Sequence, residues 1–364
     1  SKKYIAMVVK VHQEKPSFLV KPIEQVLDAT PTLLDRQYRL WSWISNYYMS
    51  PLGDVYNAAM PAGMKSAEKF KPKMELYVEL TSKYRNEASL HVALNMLQRA
   101  LKQSKALTTF LSLSHWDSLE NDTPREGIKK VTKEELMNEA HCTSAIVKSL
   151  IDREILFTYE EEVGRLNTSG ESHFEQIKPL SIAQQDAYNK ILLQMMKKNV
   201  VLLHGVTSSG KTEVYIHLIK QALDNHKQVL YLLPEIALTV QIMERLHKVF
   251  GDRLGIYHSK YSDAERVEIW QKQMSAHPYD VILGARSAVF LPFQNLGLVI
   301  IDEEHETSFK QQDPAPRYHA RSAAIVLAGM YPDCKVLLGT ATPSMESYYN
   351  AQEGKYGLVE LKTR

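Results

Sequence analysis

Five short, wholly apolar runs in the second half of the chain, "NVVLLHG", "QVLYLLPE", "DVILGA", "LGLVIIDEE" and "CKVLLGTA", limit the possible folds more than any other feature. A strand with one wet face alternates polar and apolar residues, whereas a run without polar positions is buried on both faces. Stretches of helical period separate these runs. Residues 178–364 are therefore expected to form an α/β domain, a parallel sheet with helices on both faces.

The first run leads into Gly205–Thr212, "GVTSSGKT", a complete match to G-x-x-x-x-G-K-[ST] with a strand before it and a helix after it. Such a loop turns backbone N–H groups inward onto phosphates. Gly205, Val206, Thr207, Ser208, Ser209, Gly210, Lys211, Thr212 and the adjoining Glu213 form the expected nucleotide cradle. Lys211 would reach the β- and γ-phosphates, and the Thr212 hydroxyl would sit on Mg²⁺. Another run ends in "DEEHE". Ligands of open α/β sheets sit at the carboxyl ends of the strands, so Asp302 is expected to hold Mg²⁺ while Glu303 orients and deprotonates water. A switch or kinase does not need the second acid; a hydrolase of ATP does. The run "CKVLLGTAT" brings Thr340 and Thr342 to the same edge, where they can couple to His305 through hydrogen bonds. Alone, that tripeptide would be an ordinary turn.

The earlier regions differ in character. Residues 1–65 open with the alternating "YIAMVVKV", expected as a strand, and continue to a helix carrying Tyr38, Trp41, Ile44 and Tyr48 on one face. These aromatics are expected to form a small core, with any exposed ring free to stack on bases. Residues 66–165 are charged and helix-rich. There "HVALNMLQRALKQSKALTTFLSL" reads as one helix, and Thr132 with Glu135 reads as a capping box. A second helix capped by Thr143 or Ser144 and then "ILFTYEEEV" complete the order of a winged helix. Glu160, Glu161 and Glu162 make that wing acidic, which argues against phosphate contact there and for a positioning or protein-contact role. Residues 166–177 read as a linker.

Bulk properties remove other classes. A chain of 364 residues suggests two or three domains. Net charge of +2 leaves any nucleic-acid contact to local basic surface. The two cysteines, Cys142 and Cys334, exclude a disulfide framework and a four-cysteine zinc site, and suit a reducing compartment. No apolar run is long enough to span a bilayer, so no membrane partner is expected. Ser-Lys-Lys at the start, without Met, reads as part of a longer protein.

Phosphate loop, DExH and Thr-Ala-Thr, in that order, are similar to superfamily 2 helicases and translocases. Further segments, "LLPEIALT", "HSKYSDAER", "GARSAVF", "DEEHETSFKQQ", "RYHAR" and, near the start, "YYMSPLGDV", resemble the bacterial replication-restart helicases over nearly the whole chain. The resemblance implies a RecA-like lobe preceded by a winged helix and a small β-rich domain that binds DNA 3′ ends. Gln184, or less well Gln185, matches the adenine reader of the Q motif "PLSIAQQDAYNKI". Pro234, Glu235 and Thr239 match a segment lying along single-stranded DNA; His258, Ser259, Gly284, Arg286 and Ser287 fall at further matching places. "FKQQDPAPRYHAR" resembles the family's aromatic-rich, DNA-sensing loop. Phe309, Tyr318 and His319 would offer stacking faces there, and Lys310, Arg317 and Arg321 phosphate contacts. Pro316 stands where some members carry another aromatic, and Lys21 matches a basic residue of the 3′-end pocket.

The function implied is a 3′-to-5′ DNA helicase using ATP and Mg²⁺, acting on stalled or branched forks and single strands to restart replication. Other primosome proteins, single-stranded DNA-binding protein and a replicative helicase loader are the implied partners. The protein would be cytoplasmic, nucleoid-associated and monomeric. The family's zinc-binding cysteines, second RecA-like lobe and arginine finger have no counterpart in this sequence, so Zn²⁺ is not expected here and hydrolysis is expected to be slow. Two other readings remain: another superfamily 2 motor, still an enzyme, or, in a different class, a fork-binding platform whose ATPase is dispensable.

Overall fold

The computed structural model describes residues 5–65, 74–116, 129–162, 176–206, 209–235, 237, 239–258 and 261–362. Two compact units result, one of residues 1–70 together with 168–364, the other of residues 71–167.

The discontinuous unit begins with residues 5–34, which adopt no helix or strand. The strand expected from "YIAMVVKV" is not formed over its described residues. No described segment pairs with it, and Val8, Val9 and Val11 are exposed; alternation alone does not make a strand without a ladder to join. The β-rich character expected of residues 1–65 is likewise absent from the described residues, whose regular structure is helical. Helix α1 (Asp35–Tyr47) buries Gln37, Leu40, Trp41 and Ile44, the i, i+3, i+4, i+7 stripe of one face. Tyr38 and Tyr48, expected on that face, lie at its margins. Pro51 caps α2 (Leu52–Ala59), its fixed φ suited to a helix start.

The second unit holds a three-stranded antiparallel sheet with β1 (Met74–Leu80) between β2 (Val131–Thr132) and β3 (Leu156–Glu162). Helices α3 (Glu87–Met96), α4 (Leu101–Leu113), α5 (Lys133–Glu139) and α6 (Ser144–Asp152) complete it. The single helix expected from "HVALNMLQRALKQSKALTTFLSL" is broken at residues 97–100, where Leu97 drops fully into the core beside Leu107 and Phe110. Thr132 accepts the Glu135 N–H at 3.0 Å, half of the expected capping box. Glu135 itself turns to Lys129 instead, at 3.1 Å. Thr143 occupies the cap position of α6 without a side-chain capping bond.

The larger part of the first unit is the α/β domain. In chain order it comprises α7 (Ile182–Lys197), β4 (Val200–Gly205), α8 (Lys211–Asp224), β5 (Gln228–Leu232), α9 (Val240–Phe250), β6 (Leu254–Tyr257), α10 (Asp263–Met274), β7 (Val281–Gly284), β8 (Leu296–Asp302), α11 (Ala320–Ala328), β9 (Lys335–Thr340), α12 (Met345–Gln352) and β10 (Gly357–Leu361). The strands are ordered β10-β4-β9-β8-β5-β7-β6, every neighbouring pair parallel. Val201, Leu203, Val229, Ile300 and Leu337 fill one side; Leu202, Leu230, Ile301 and Leu338 are buried on the other, as apolar runs without alternation require.

Helix α1 is built into this domain. Gln37 is buried and donates from Nε2 to the Phe290 carbonyl at 2.7 Å, while Arg36 donates to Met330 at 3.1 Å and lies over the Tyr331 ring. Trp270 of α10 donates to the Thr32 carbonyl at 2.9 Å.

Candidate nucleotide and DNA site

Because β9 is inserted between β4 and β8, their carboxyl ends carry Gly205, Thr340 and Asp302 side by side. Three motifs far apart in sequence thus meet at one edge of the sheet.

Gly210 takes a left-handed φ of 74°, after which α8 starts at Lys211. The left-handed backbone is what favours glycine here; a Cβ would also meet Gln184 Nε2 at 2.2 Å, a contact that flexible side chain could relieve by turning away. Lys211 Nζ donates to the Gly205 carbonyl at 3.1 Å and lies 3.8 Å from Glu303 Oε1. Ser209 Oγ is buried without a hydrogen-bond partner among the described residues. Thr207 and Ser208 lie outside the described residues. Val206 donates its N–H to Leu361 on β10 at 3.1 Å. An ammonium held inward, an orphaned hydroxyl and the start of a helix suit an anionic phosphate chain. Thr212 and Asp302 suit the Mg²⁺ that would accompany it. Among the described residues no group of three His, Cys, Asp or Glu forms a metal cluster, and both cysteines are free thiols. Glu213 turns away into an ion pair with Arg245 of α9.

Of the two candidate glutamines only Gln184 reaches this loop. Its Oε1 accepts the Ser181 N–H at 2.9 Å, and its Nε2 donates to the Ser209 and Gly210 carbonyls at 3.3 and 3.4 Å. Gln185 bonds to Asn189 on the outer side of α7.

Asp302 is buried and gripped by two tyrosines absent from the sequence reading. Tyr215 donates to Oδ1 at 2.9 Å and Tyr231 to Oδ2 at 3.4 Å. Burial raises the Asp302 carboxyl to about 6, and the Glu303 charge adds to the rise; the Tyr215 bond and Lys211 oppose it. Burial likewise pushes both phenols well above their ordinary value, so they remain hydroxyl donors. Gly339 makes this possible, since a Cβ there would stand 1.8 Å from the Tyr215 hydroxyl oxygen. A tyrosine within a run of otherwise buried residues had to find a partner for its hydroxyl, the signal by which Tyr231 was discoverable.

Glu303 follows with a left-handed φ of 47°, which lifts its side chain off the strand line toward Lys211. His305 Nδ1 lies 2.7 Å from Thr340 Oγ1 and Nε2 lies 3.4 Å from Thr342 Oγ1, so the histidine touches both threonines. Glu304 points inward and is fully buried. It accepts from the Ser344 N–H at 2.7 Å, the Ser344 hydroxyl at 3.0 Å and the Ser347 hydroxyl at 2.8 Å, and pairs with Arg321. Burial alone would raise this carboxyl, but those bonds outweigh it and hold it below the ordinary glutamate value.

The loop after DEEH corrects three expectations. Phe309 and Tyr318 are 0% exposed and pack as core, so neither offers a stacking face. The Tyr318 ring packs edge-on against Phe290 at 4.9 Å. Arg321 is committed to Glu304 and Ser344 and is not a phosphate contact. Their sequence looked like exposed recognition chemistry because aromatic and basic residues serve cores and buried ion pairs equally well. Arg286 braces the loop from below, donating to the Ser308 and Lys310 carbonyls at 3.0 and 3.1 Å. Lys310 and His319 pair across the loop's base, and Lys310 Nζ donates to Arg317 O. Tyr48, expected from the sequence only as part of a small aromatic core, grips both legs: its hydroxyl accepts the His319 N–H at 3.1 Å and its ring lies 4.9 Å below Lys310 Nζ. Burial, with Arg321 and Lys310 nearby, lowers His319 to about 4. Arg317 is exposed.

The remaining candidates are scattered. Lys21 is exposed in the irregular segment, Pro234 is buried, Glu235 is exposed and Thr239 caps α9 through Ile242 at 3.5 Å. Ser259 lies outside the described residues, and His258 packs on Tyr261.

A phosphate loop, a DExH strand end and a Thr-Ala-Thr strand end on adjacent parallel strands define a P-loop helicase lobe, and residues 181–351 match the DEAD/DEAH box helicase family. Ahead of it, residues 1–61 match the 3′ DNA-binding domain of PriA and residues 75–163 the winged helix domain of PriA helicase of Bacteroidota. Relatives named replication restart protein PriA align over almost the whole chain. That of Bacillus subtilis is 34% identical over 95% of this chain and 48% of its own length. Those of Chlamydia trachomatis and Haemophilus influenzae are 33% and 34% identical over 99% and 96% of this chain, and each is covered over 45% of its length. The chain belongs to the PriA family of replication-restart helicases. It spans about half the length of the curated relatives it matches.

Proposed function

We propose that this chain is the fork-recognising and ATP-binding part of a 3′-to-5′ DNA helicase that starts primosome assembly at stalled or branched forks. The observation that carries this reading is the convergence of Lys211, Asp302, Glu303 and the His305–Thr340–Thr342 contacts at one sheet edge, beside a braced loop. When bound, Mg²⁺·ATP supplies the γ-phosphoryl group and the metal's Lewis acidity. Lys211 and the backbone N–H groups of the phosphate loop would hold the phosphate chain, and Thr212 and Asp302 would hold the metal. Glu303 orients water and takes its proton. His305 passes the state of the site to Thr340 and Thr342, and the Arg321–Glu304–Ser344 contacts tie the loop to the same segment. In this class an arginine from a second lobe stabilises transition-state charge by about 10³–10⁵ in rate. Single-stranded and branched DNA, other primosome proteins, single-stranded DNA-binding protein and a helicase loader are the partners, at the nucleoid.

The test is fluorescence anisotropy with a fork bearing an annealed leading strand, a linear duplex and a single strand, over a salt series. Fork preference of about tenfold or more, or roughly 1.4 kcal/mol, is expected. Equal binding of all three would remove fork recognition from these residues.

A further inference from the structure

The loop after DEEH keeps its own aromatics inside, yet an exposed tyrosine and a half-buried tryptophan stand beside it on α1. Trp43 and Tyr47 are stacked with centroids 4.9 Å apart and planes 20° apart, and Tyr47 is 64% exposed. Tyr48 meets Tyr47 edge-on at 4.9 Å and Trp43 at 6.0 Å. This three-ring cluster adjoins cations: Lys310 lies over Tyr48, and exposed Arg317 follows on the same loop. Packing does not require the Tyr47 ring, because the buried stripe of α1 is Gln37, Leu40, Trp41 and Ile44.

We propose that Trp43 and Tyr47 form a base-stacking platform for single-stranded DNA, with Lys310 and Arg317 meeting the adjoining phosphates. The proposal rests on the DNA-binding reading above and names a subsite within it. Stacking accepts any base, because every base has a π-face, and cations beside the rings take up the backbone that carries it. The occupant is read from that pairing of open rings with positive charge, which an apolar protein surface would not complement. Tyr48 makes the platform continuous with the ATPase. The same residue touches both stacked rings and accepts the His319 N–H at the start of α11. A base seated on the platform therefore presses on the loop that Arg321 ties to Glu304.

The experiment is titration of the whole chain with (dT)15, read both by tryptophan fluorescence and by anisotropy of labelled DNA. Trp41 and Trp270 are buried, and the half-buried Trp116 of the other unit is removed beforehand as Trp116→Phe, so quenching on binding is expected to arise at Trp43 and to be lost in Trp43→Phe. Tyr47→Ala is expected to weaken binding about 5- to 150-fold, with the salt slope unchanged because no phosphate contact is removed. Tyr47→Phe retains binding. Tyr47→Ala affinity within twofold of wild type, or quenching that survives Trp43→Phe, overturns the assignment and leaves the face to a protein partner. In either case wild-type binding stands and the general DNA reading survives. Failure of the wild-type chain to bind (dT)15 or the fork would overturn both.

Discussion

Removing the charge of Asp302 should stabilise the protein, although the residue is expected to be indispensable to hydrolysis. Its carboxyl is raised from 3.8 to about 6, chiefly by burial. For an acid whose folded pKa lies above its unfolded one, the contribution to stability is fully present below the unfolded value. It is lost as pH rises through the folded value. About two pKa units at ~1.4 kcal/mol each make a loss approaching 3 kcal/mol by pH 8. Asparagine does not ionise, keeps an acceptor for the Tyr215 hydroxyl and avoids that loss. Asp302→Asn should therefore melt about 6–12 °C above wild type at pH 8, taking ~2–4 °C per kcal/mol for a unit of this size. The difference should fall to about half by pH 5 and vanish below pH 4. Mg²⁺ with a non-hydrolysable ATP analogue should raise the wild-type transition and leave the variant's nearly unmoved. Thermal denaturation followed by circular dichroism from pH 4 to 8, without nucleotide, decides the matter. A variant that melts at or below wild type at pH 8, or a gain independent of pH, would refute the claim that burial of this charge stores free energy.

Two further expectations follow from the packing around that carboxylate and around the loop. Gly339→Ala puts a methyl 1.8 Å from the Tyr215 hydroxyl and should lower the melting temperature; adding Tyr215→Phe should restore part of the loss. A double variant no better than the single one would mean that the clash lies elsewhere. Arg321→Ala strands the buried Glu304 and should cost about 3–5 kcal/mol of stability. Arg317→Ala should leave the melt unchanged within ~0.5 kcal/mol while lowering the salt slope of DNA binding by about one. If the two arginines exchange these outcomes, the placement of the loop is wrong.

Sequence and structure agree where a local rule leaves no choice. The unalternating runs could only be doubly buried strands, and Gly210 before Lys211 could only be a tight turn into a helix. His305, Thr340 and Thr342 were legible as a trio because each lies at the end of a buried strand, and parallel strands bring such ends together. What failed was direction. Whether an aromatic or an arginine faces water depends on partners distant in sequence, as Phe309, Tyr318 and Arg321 show. Tyr215 and Gly339 escaped notice because their meaning lies only in each other: a hydroxyl reaching across a strand where one residue lacks a side chain. "YIAMVVKV" misled because period two reports compatibility with a sheet and not the presence of a neighbour.

The discontinuity of the first unit has a consequence in time. Helix α1 finds its partner near Met330, 294 residues after Arg36. At about 5–20 residues per second of synthesis, Leu40, Trp41 and Ile44 wait between some 15 s and a minute before the surface that covers them exists. Residues 71–167 meanwhile have every strand and helix of their own unit and can fold while the ribosome is still working. The nascent chain therefore carries a finished module in its middle and a bare apolar helix ahead of it. That interval is when a chaperone, or a second nascent chain, has its longest opportunity to meet α1.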